Sequence, residues 1–325
     1  MVTESSASTS NPIWARIKRM QLGLPFVIIA MGVVTGLIEP RFWSFDNLLN
    51  LSRQLAPLMI LVSGQVFAVI SGGLDLSVAS VLAFAGVVGV LVMPDVGIGV
   101  GLLLMVVTGI FVGLINGLII TRFRVSPLIV TLGMLSVAKG LALILTGGIP
   151  NYDVPEVLVD TLGYGGVLGI PVPAIFAVTT LLFGAFVLKF TVFGRYVYAI
   201  GSNSTAAFNS GINVRLHTTL VYMMCGGMAG VGAIVLTSWV SAAQPLAAAG
   251  LELQSLAAVV VGGVALTGGS GSMLQAFYGA LILGMLSNVL NMAGVSSFLQ
   301  TLTIGLVIVI AVILDQVRRD RSSGI

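Results

Sequence analysis

Six consecutive residues, Gly72-Gly73-Leu74-Asp75-Leu76-Ser77, set a carboxylate and a hydroxyl between apolar runs at 58–70 and 78–93. A carboxylate at the centre of a bilayer costs about 2.5–3.5 kcal/mol. Asp75 therefore belongs near an interface, beside a wet cavity or against a partner. A second acid stands in the same pattern: Gly250-Leu251-Glu252-Leu253 repeats Gly-Leu-acid-Leu at an offset of 177 (250 minus 73). Two chemistries suit a pair of such acids. They can cap nearby helix N-termini and stabilise gates, or they can ligate coupling ions, with Lys139 as a further charged residue inside an apolar run. Lys139 divides evenly between snorkelling toward the outer face and lining a pathway.

Uncharged polar groups accompany them. Ser77, Asn116, Thr131, Asn288, Asn291 and Gln300 lie near the ends or seams of apolar runs. They can offer hydrogen bonds to a hydroxylated solute, and hydrogen bonding between helices explains them equally well. The chemistry of catalysis is missing. Residues 263–270 have phosphate-loop glycine spacing, but Gly269 stands where lysine is required, so the chain does not itself hydrolyse ATP. His217 is the single histidine, no Gly-x-Ser-x-Gly elbow occurs, and Cys225 is the single cysteine. No catalytic, cofactor-binding or metal-ligating set is expected, and no internal disulfide can form.

The elements that must position these residues are membrane helices. Charged residues make up 8% of the chain and hydrophobic residues 57%, with a mean hydropathy of +1.12. Soluble domains average about 25% charged residues, so the composition specifies an all-α polytopic membrane protein. Continuous rather than alternating apolar runs exclude a barrel. Ten spans are expected, at 22–39, 54–72, 77–93, 98–120, 126–147, 170–190, 216–240, 251–267, 274–292 and 297–315. Gly109, Gly113 and Gly117, like Gly226 and Gly230, recur every four residues, the spacing of close backbone contact between helices.

Eleven of the fourteen basic residues fall on one side under this count, so both termini are expected in the cytoplasm. Residues 1–21 then form an N-terminal tail ahead of an uncleaved first helix, 22–317 a single transmembrane domain, and 318–325 a C-terminal tail. A second echo pairs residues 125–131 with 295–301, an offset of 170 (295 minus 125). Both echoes place matching residues on opposite faces, so spans two to five and seven to ten read as an inverted repeat, a common basis for alternating access.

Two loops stand out. Residues 151–171 are acidic, rich in Gly and Pro, and expected outside, as a connector or as a lid or partner contact. Residues 191–218 form the longest cytoplasmic connection between spans. Within it, Ser202 and Asn203 supply a turn and cap, 204–209 a short helix, and Gly211 its stop. A short helix on the membrane face is a docking knob for a soluble partner.

Several stretches carry a family likeness: residues 73–78 (Gly-Leu-Asp-Leu-Ser-Val), 194–201 (Gly-Arg-Tyr-Val-Tyr-Ala-Ile-Gly), 210–214, 241–245, and 251–253 through 257–260. Over residues 45–317 the chain resembles the permease subunits of ribose-type ABC importers of simple sugars. Ala79 departs from the glycine the family favours there. The resemblance implies a translocation path formed by two permeases, homo- or heterodimeric. It also implies two cytoplasmic ATPase subunits, an outer sugar-binding protein and residence in the bacterial inner membrane. Within 191–218 it implies an ATPase-coupling helix, with Arg195, Tyr198, Ser202, Asn203, Thr205, Phe208, Asn209 and Asn213 as the coupling residues. Asp75, Ser77, Asn116, Lys139, Glu252, Asn288 and Asn291 are the candidates for gate and pathway. No nucleic-acid partner is expected. The competing reading is an ion-coupled secondary transporter of a small polar solute, which an inverted repeat also allows.

Overall fold

A computed structural model describes residues 23–322. The predicted tail 1–21, with Arg16, Lys18 and Arg19, lies outside the described residues. Twelve helices account for most of the described chain: α1 (Gly23–Ile38), α2 (Phe45–Ile70), α3 (Val78–Val96), α4 (Ile98–Phe123), α5 (Pro127–Thr146), α6 (Val172–Phe190), α7 (Val192–Ser202), α8 (Ser204–Asn209), α9 (Val214–Val240), α10 (Leu251–Val261), α11 (Met273–Met292) and α12 (Ser297–Ser322). Seven of them, α2 to α6, α9 and α11, are long and apolar enough to cross a membrane. Shorter apolar stretches occur in α1, α10 and α12. The molecule is a polytopic helical bundle.

Two helices form its centre. From Leu55 to Ile70 every residue of α2 is buried, and α9 is buried along most of its length. A helix apolar all round must be enclosed by other helices, and α2 and α9 enclose each other. Around them the neighbours match: α9 packs on α3 and α4, and α2 packs on α10 and α11. Likewise α3 touches α4 and α5, while α10 touches α11 and α12.

Glycine allows the closest of these contacts. A Cβ on Gly109 of α4 would meet the Gly226 carbonyl of α9, and one on Gly226 would meet the Gly109 carbonyl. Gly113 lies equally close to the Tyr222 backbone. The two helices touch backbone to backbone, which only glycine permits.

Three boundaries depart from the expected spans. α2 starts at Phe45 rather than 54, because Ser44 accepts a hydrogen bond from the Asn47 N–H and Asp46 favours the first turn. The span expected at 251–267 ends at Val261. Gly263, Gly268, Gly269 and Gly271 take positive φ there, turning the chain into a loop that apolar content alone does not reveal. The C-terminal tail expected at 318–325 begins within α12, which runs to Ser322. The loop at 151–171 is tied down, since Asn151 exchanges two backbone hydrogen bonds with Ala243 just past α9.

Candidate functional site

The hinge between α2 and α3 is closed over its acid. Asp75 is 1% exposed, and its Oδ1 accepts hydrogen bonds from the Ser77 N–H (2.9 Å) and the Ser77 hydroxyl (2.6 Å). Asn116 of α4 donates from Nδ2 to Ser77 Oγ at 3.0 Å, joining three of the expected residues in one chain. The hinge backbone is held as well: Tyr222 of α9 and Thr131 of α5 both donate hydroxyls to the Leu74 carbonyl, each at 3.4 Å. Burial pushes the Asp75 carboxyl up to about 6, against the pull of its two Ser77 hydrogen bonds.

Glu252 takes the matching place at the start of α10. Its Oε2 accepts the Gly250 N–H at 3.0 Å. Ser77 is the N-cap residue of α3 and Gly250 that of α10. Each acid thus satisfies the backbone N–H of a helix N-cap, where negative charge also meets the helix dipole.

The segment 191–218 folds as two helices rather than as an open loop with one. Thr191 caps α7 by accepting from the Gly194 N–H, Asn203 caps α8 by accepting from Ala206, and Asn213 caps α9 by accepting from Leu216. Gly211 turns the chain after α8 with φ +85°. Arg195, Ser202, Thr205 and Asn209 are exposed, and Phe208 is 69% exposed. A cavity of about 1110 Å³, lined by Thr205, Phe208, Arg124 and Arg215, separates α8 from the ends of α4 and α9.

The base of this unit is seated on the hinge. The Tyr198 hydroxyl donates to the Gly271 carbonyl at 2.8 Å, and Gly269 N–H donates to the Ile70 carbonyl at 2.8 Å. Desolvation raises the Tyr198 phenol above its ordinary value. A Cβ on Gly201 would meet the Ile70 carbonyl, and one on Gly268 would meet the backbones of Gly72 and Gly201. The glycines that failed as a phosphate loop thus serve a three-way backbone junction of α7, the α2 hinge and the loop after α10.

The remaining expected residues stand apart from this cluster. Asn288 exchanges two 3.2 Å hydrogen bonds with Asn47 of α2, and Asn291 accepts from Gln300 at 3.0 Å. Lys139 is exposed on α5 among exposed Val137 and Leu141. Sequence reasoning missed Tyr222, whose contact with Leu74 spans 148 residues and leaves no local pattern. It also missed Gln65, fully buried in α2 with both amide atoms unpaired among the described residues. A lone glutamine inside an apolar run was the available signal.

Residues 47–312 match the family described as the permease component of the branched-chain amino acid transport system. The chain belongs to this permease family. The permease is 36% identical to the ribose import permease protein RbsC of Haemophilus influenzae, covering 94% of this chain and 96% of that protein. It is 39% identical to RbsC of Bacillus subtilis, covering 91% of each. It is 34% identical to the L-arabinose ABC transporter permease protein AraH of Azospirillum brasilense, over 97% of this chain and 92% of that one. No solved structure matches the permease. The family makes this chain a membrane transport subunit rather than an enzyme, with ATP hydrolysis left to a separate subunit.

Proposed function

We propose that this permease is the membrane subunit of an ATP-driven, binding-protein-dependent importer of a simple sugar, ribose or a related monosaccharide. The observation that carries the reading is the projecting α7–α8 unit seated on the α2 hinge, in a chain that matches sugar permeases over nearly its whole length. A second permease completes the path, two cytoplasmic ATPase subunits bind the pair with α8 seated in one of them, and a sugar-binding protein delivers solute from outside. The assembly resides in the bacterial inner membrane. Seven long and three shorter apolar helices support ten crossings, with 22–317 as one transmembrane domain between two tails. The bias of basic residues supports cytoplasmic termini. The matched neighbours of α2 and α9, and the two acids bonded to N-cap N–H groups, support α2–α5 and α9–α12 as inverted halves.

In this reading Arg195, Ser202, Thr205, Phe208 and Asn209 face the ATPase, while Asn203 and Asn213 hold the helix ends and Tyr198 transmits motion to the hinge. Asp75, Ser77 and Asn116 keep the gate hinge rigid on one face, and Glu252 does so on the other. Asn288 and Asn291 hold helix ends together near the outer face. An ion-coupled carrier shares the inverted halves but gives α8 nothing to dock.

The test is ATPase activity of the purified complex in lipid, with binding protein added and sugars varied one at a time. Stimulation that needs both binding protein and one sugar is the expected result. A chain that purifies without an ATPase and moves solute down an ion gradient overturns the reading.

A further inference from the structure

At the opposite end of the bundle from α8, five helices meet around a second cavity of about 310 Å³. Gln54 of α2, Trp239 of α9, Gln254 of α10, Ser287 of α11 and Gln300 of α12 line it, with Leu55, Leu58 and Ile304 as apolar wall. Among the described residues no charged side chain lines it. Ligand pockets run from roughly 300 to 1,000 Å³, so this one suits a small solute. Trp239, Gln54 and Gln254 are each half-buried, and their side-chain nitrogens and oxygens make no hydrogen bond among the described residues. Gln300 is anchored instead, with Nε2 donating to Asn291 Oδ1 and the Val295 carbonyl.

We propose that this cavity is a low-affinity subsite for a neutral monosaccharide, in which Trp239 faces the sugar ring and the amides of Gln54 and Gln254 bind its hydroxyls. The proposal deepens the sugar-importer reading and depends on it. A sugar presents a C–H face and a rim of groups that both donate and accept. An indole offers a broad apolar face with an N–H at its edge, and an amide offers a donor and an acceptor together. A lining without charge leaves no desolvated charge facing a neutral ring. Because α2 comes from one half and α9–α12 from the other, relative movement of the halves changes the cavity. Solute released by the binding protein would pause here before the path turns inward, rather than returning outside.

Saturation-transfer NMR with D-ribose and L-arabinose as probes, on the permease–ATPase complex in nanodiscs without binding protein, tests contact directly. Transfer to sugar C–H protons is expected, with binding weakened roughly threefold to tenfold in Trp239→Ala and Gln254→Leu. In proteoliposomes with binding protein, both variants should import fewer sugars per ATP hydrolysed. A variant that merely assembles poorly loses uptake and hydrolysis in proportion and keeps the ratio. Equal transfer and an equal ratio in wild type and both variants overturn the subsite. A wild-type complex that imports no sugar overturns the importer reading instead.

Discussion

Asp75 is a charge that the fold encloses and then partners locally. Its carboxylate satisfies both the N–H and the hydroxyl of Ser77, and Asn116 ties that hydroxyl to α4. Replacement of Asp75 by Ala leaves the buried Ser77 N–H without its acceptor, at a cost of about 1–3 kcal/mol. Asp75→Asn keeps an acceptor and should unfold at a higher temperature in detergent than Asp75→Ala. The direction of pH dependence follows from the raised value. The native state holds its proton up to about 6, whereas the unfolded carboxyl releases it near 3.8. The native state therefore binds more protons between these values, and stability falls as pH rises through that window and levels above it. Thermal melts across this range should show the slope in wild type and its loss in Asp75→Asn. Gln65 poses the opposite case, a buried amide without partners among the described residues. Gln65→Met removes that desolvation cost at similar volume, so the thermal midpoint should rise. A lowered midpoint in the same assay would show that the amide is paired in the membrane.

Among the elements, the α4–α9 contact and the truncated α10 matter most. A side chain at Gly226 must push against the Gly109 carbonyl, so Gly226→Leu should separate the helices and cost about 1–3 kcal/mol or more. Gly305 on α12 has open space around its Cβ position, and Gly305→Ala should be nearly neutral. Detergent stability measured on both variants separates backbone contact from a general dislike of larger residues; equal losses would refute the contact. The four-residue spacing of these glycines is legible in the chain itself, because the pattern is a property of one helix face. The early end of α10 is not. Its apolar residues continue to Val264, and only the run of positive-φ glycines, held against Gly72, Gly201 and Ser202, turns them out of the helix.

At the scale of the whole molecule, the proposed importer takes force in at the α7–α8 unit and delivers it to the hinge. α8 stands over a cavity that parts it from the ends of α4 and α9, while α7 touches the end of α2 through Gly201 and the loop after α10 through Tyr198. Deleting residues 205–208 removes most of the exposed face of α8 but leaves the long apolar helices complete. Uptake by proteoliposomes should be abolished while the protein still inserts in membranes, as judged by its membrane fraction. Wild-type transport by the deletion variant would refute coupling through α8. Phe208→Ala should reduce ATPase association without changing the permease's own thermal midpoint, since Phe208 packs against little of its own chain.

Composition and run length were enough to specify the class of this molecule, because bilayer solvation acts on both. Few charges and long apolar runs leave a polytopic helical protein as the sole outcome. The short helix 204–209 was legible too, since caps and glycine stops act over three or four residues. Packing in three dimensions was needed to join Asp75 to Ser77 and Asn116 while Lys139 and Asn291 stand elsewhere. It was needed equally to bring Tyr222 onto the hinge and Trp239 into a cavity with glutamines from three other helices. Those meetings depend on how helices distant in sequence pack, and packing depends on shape summed over many contacts, which no local pattern encodes.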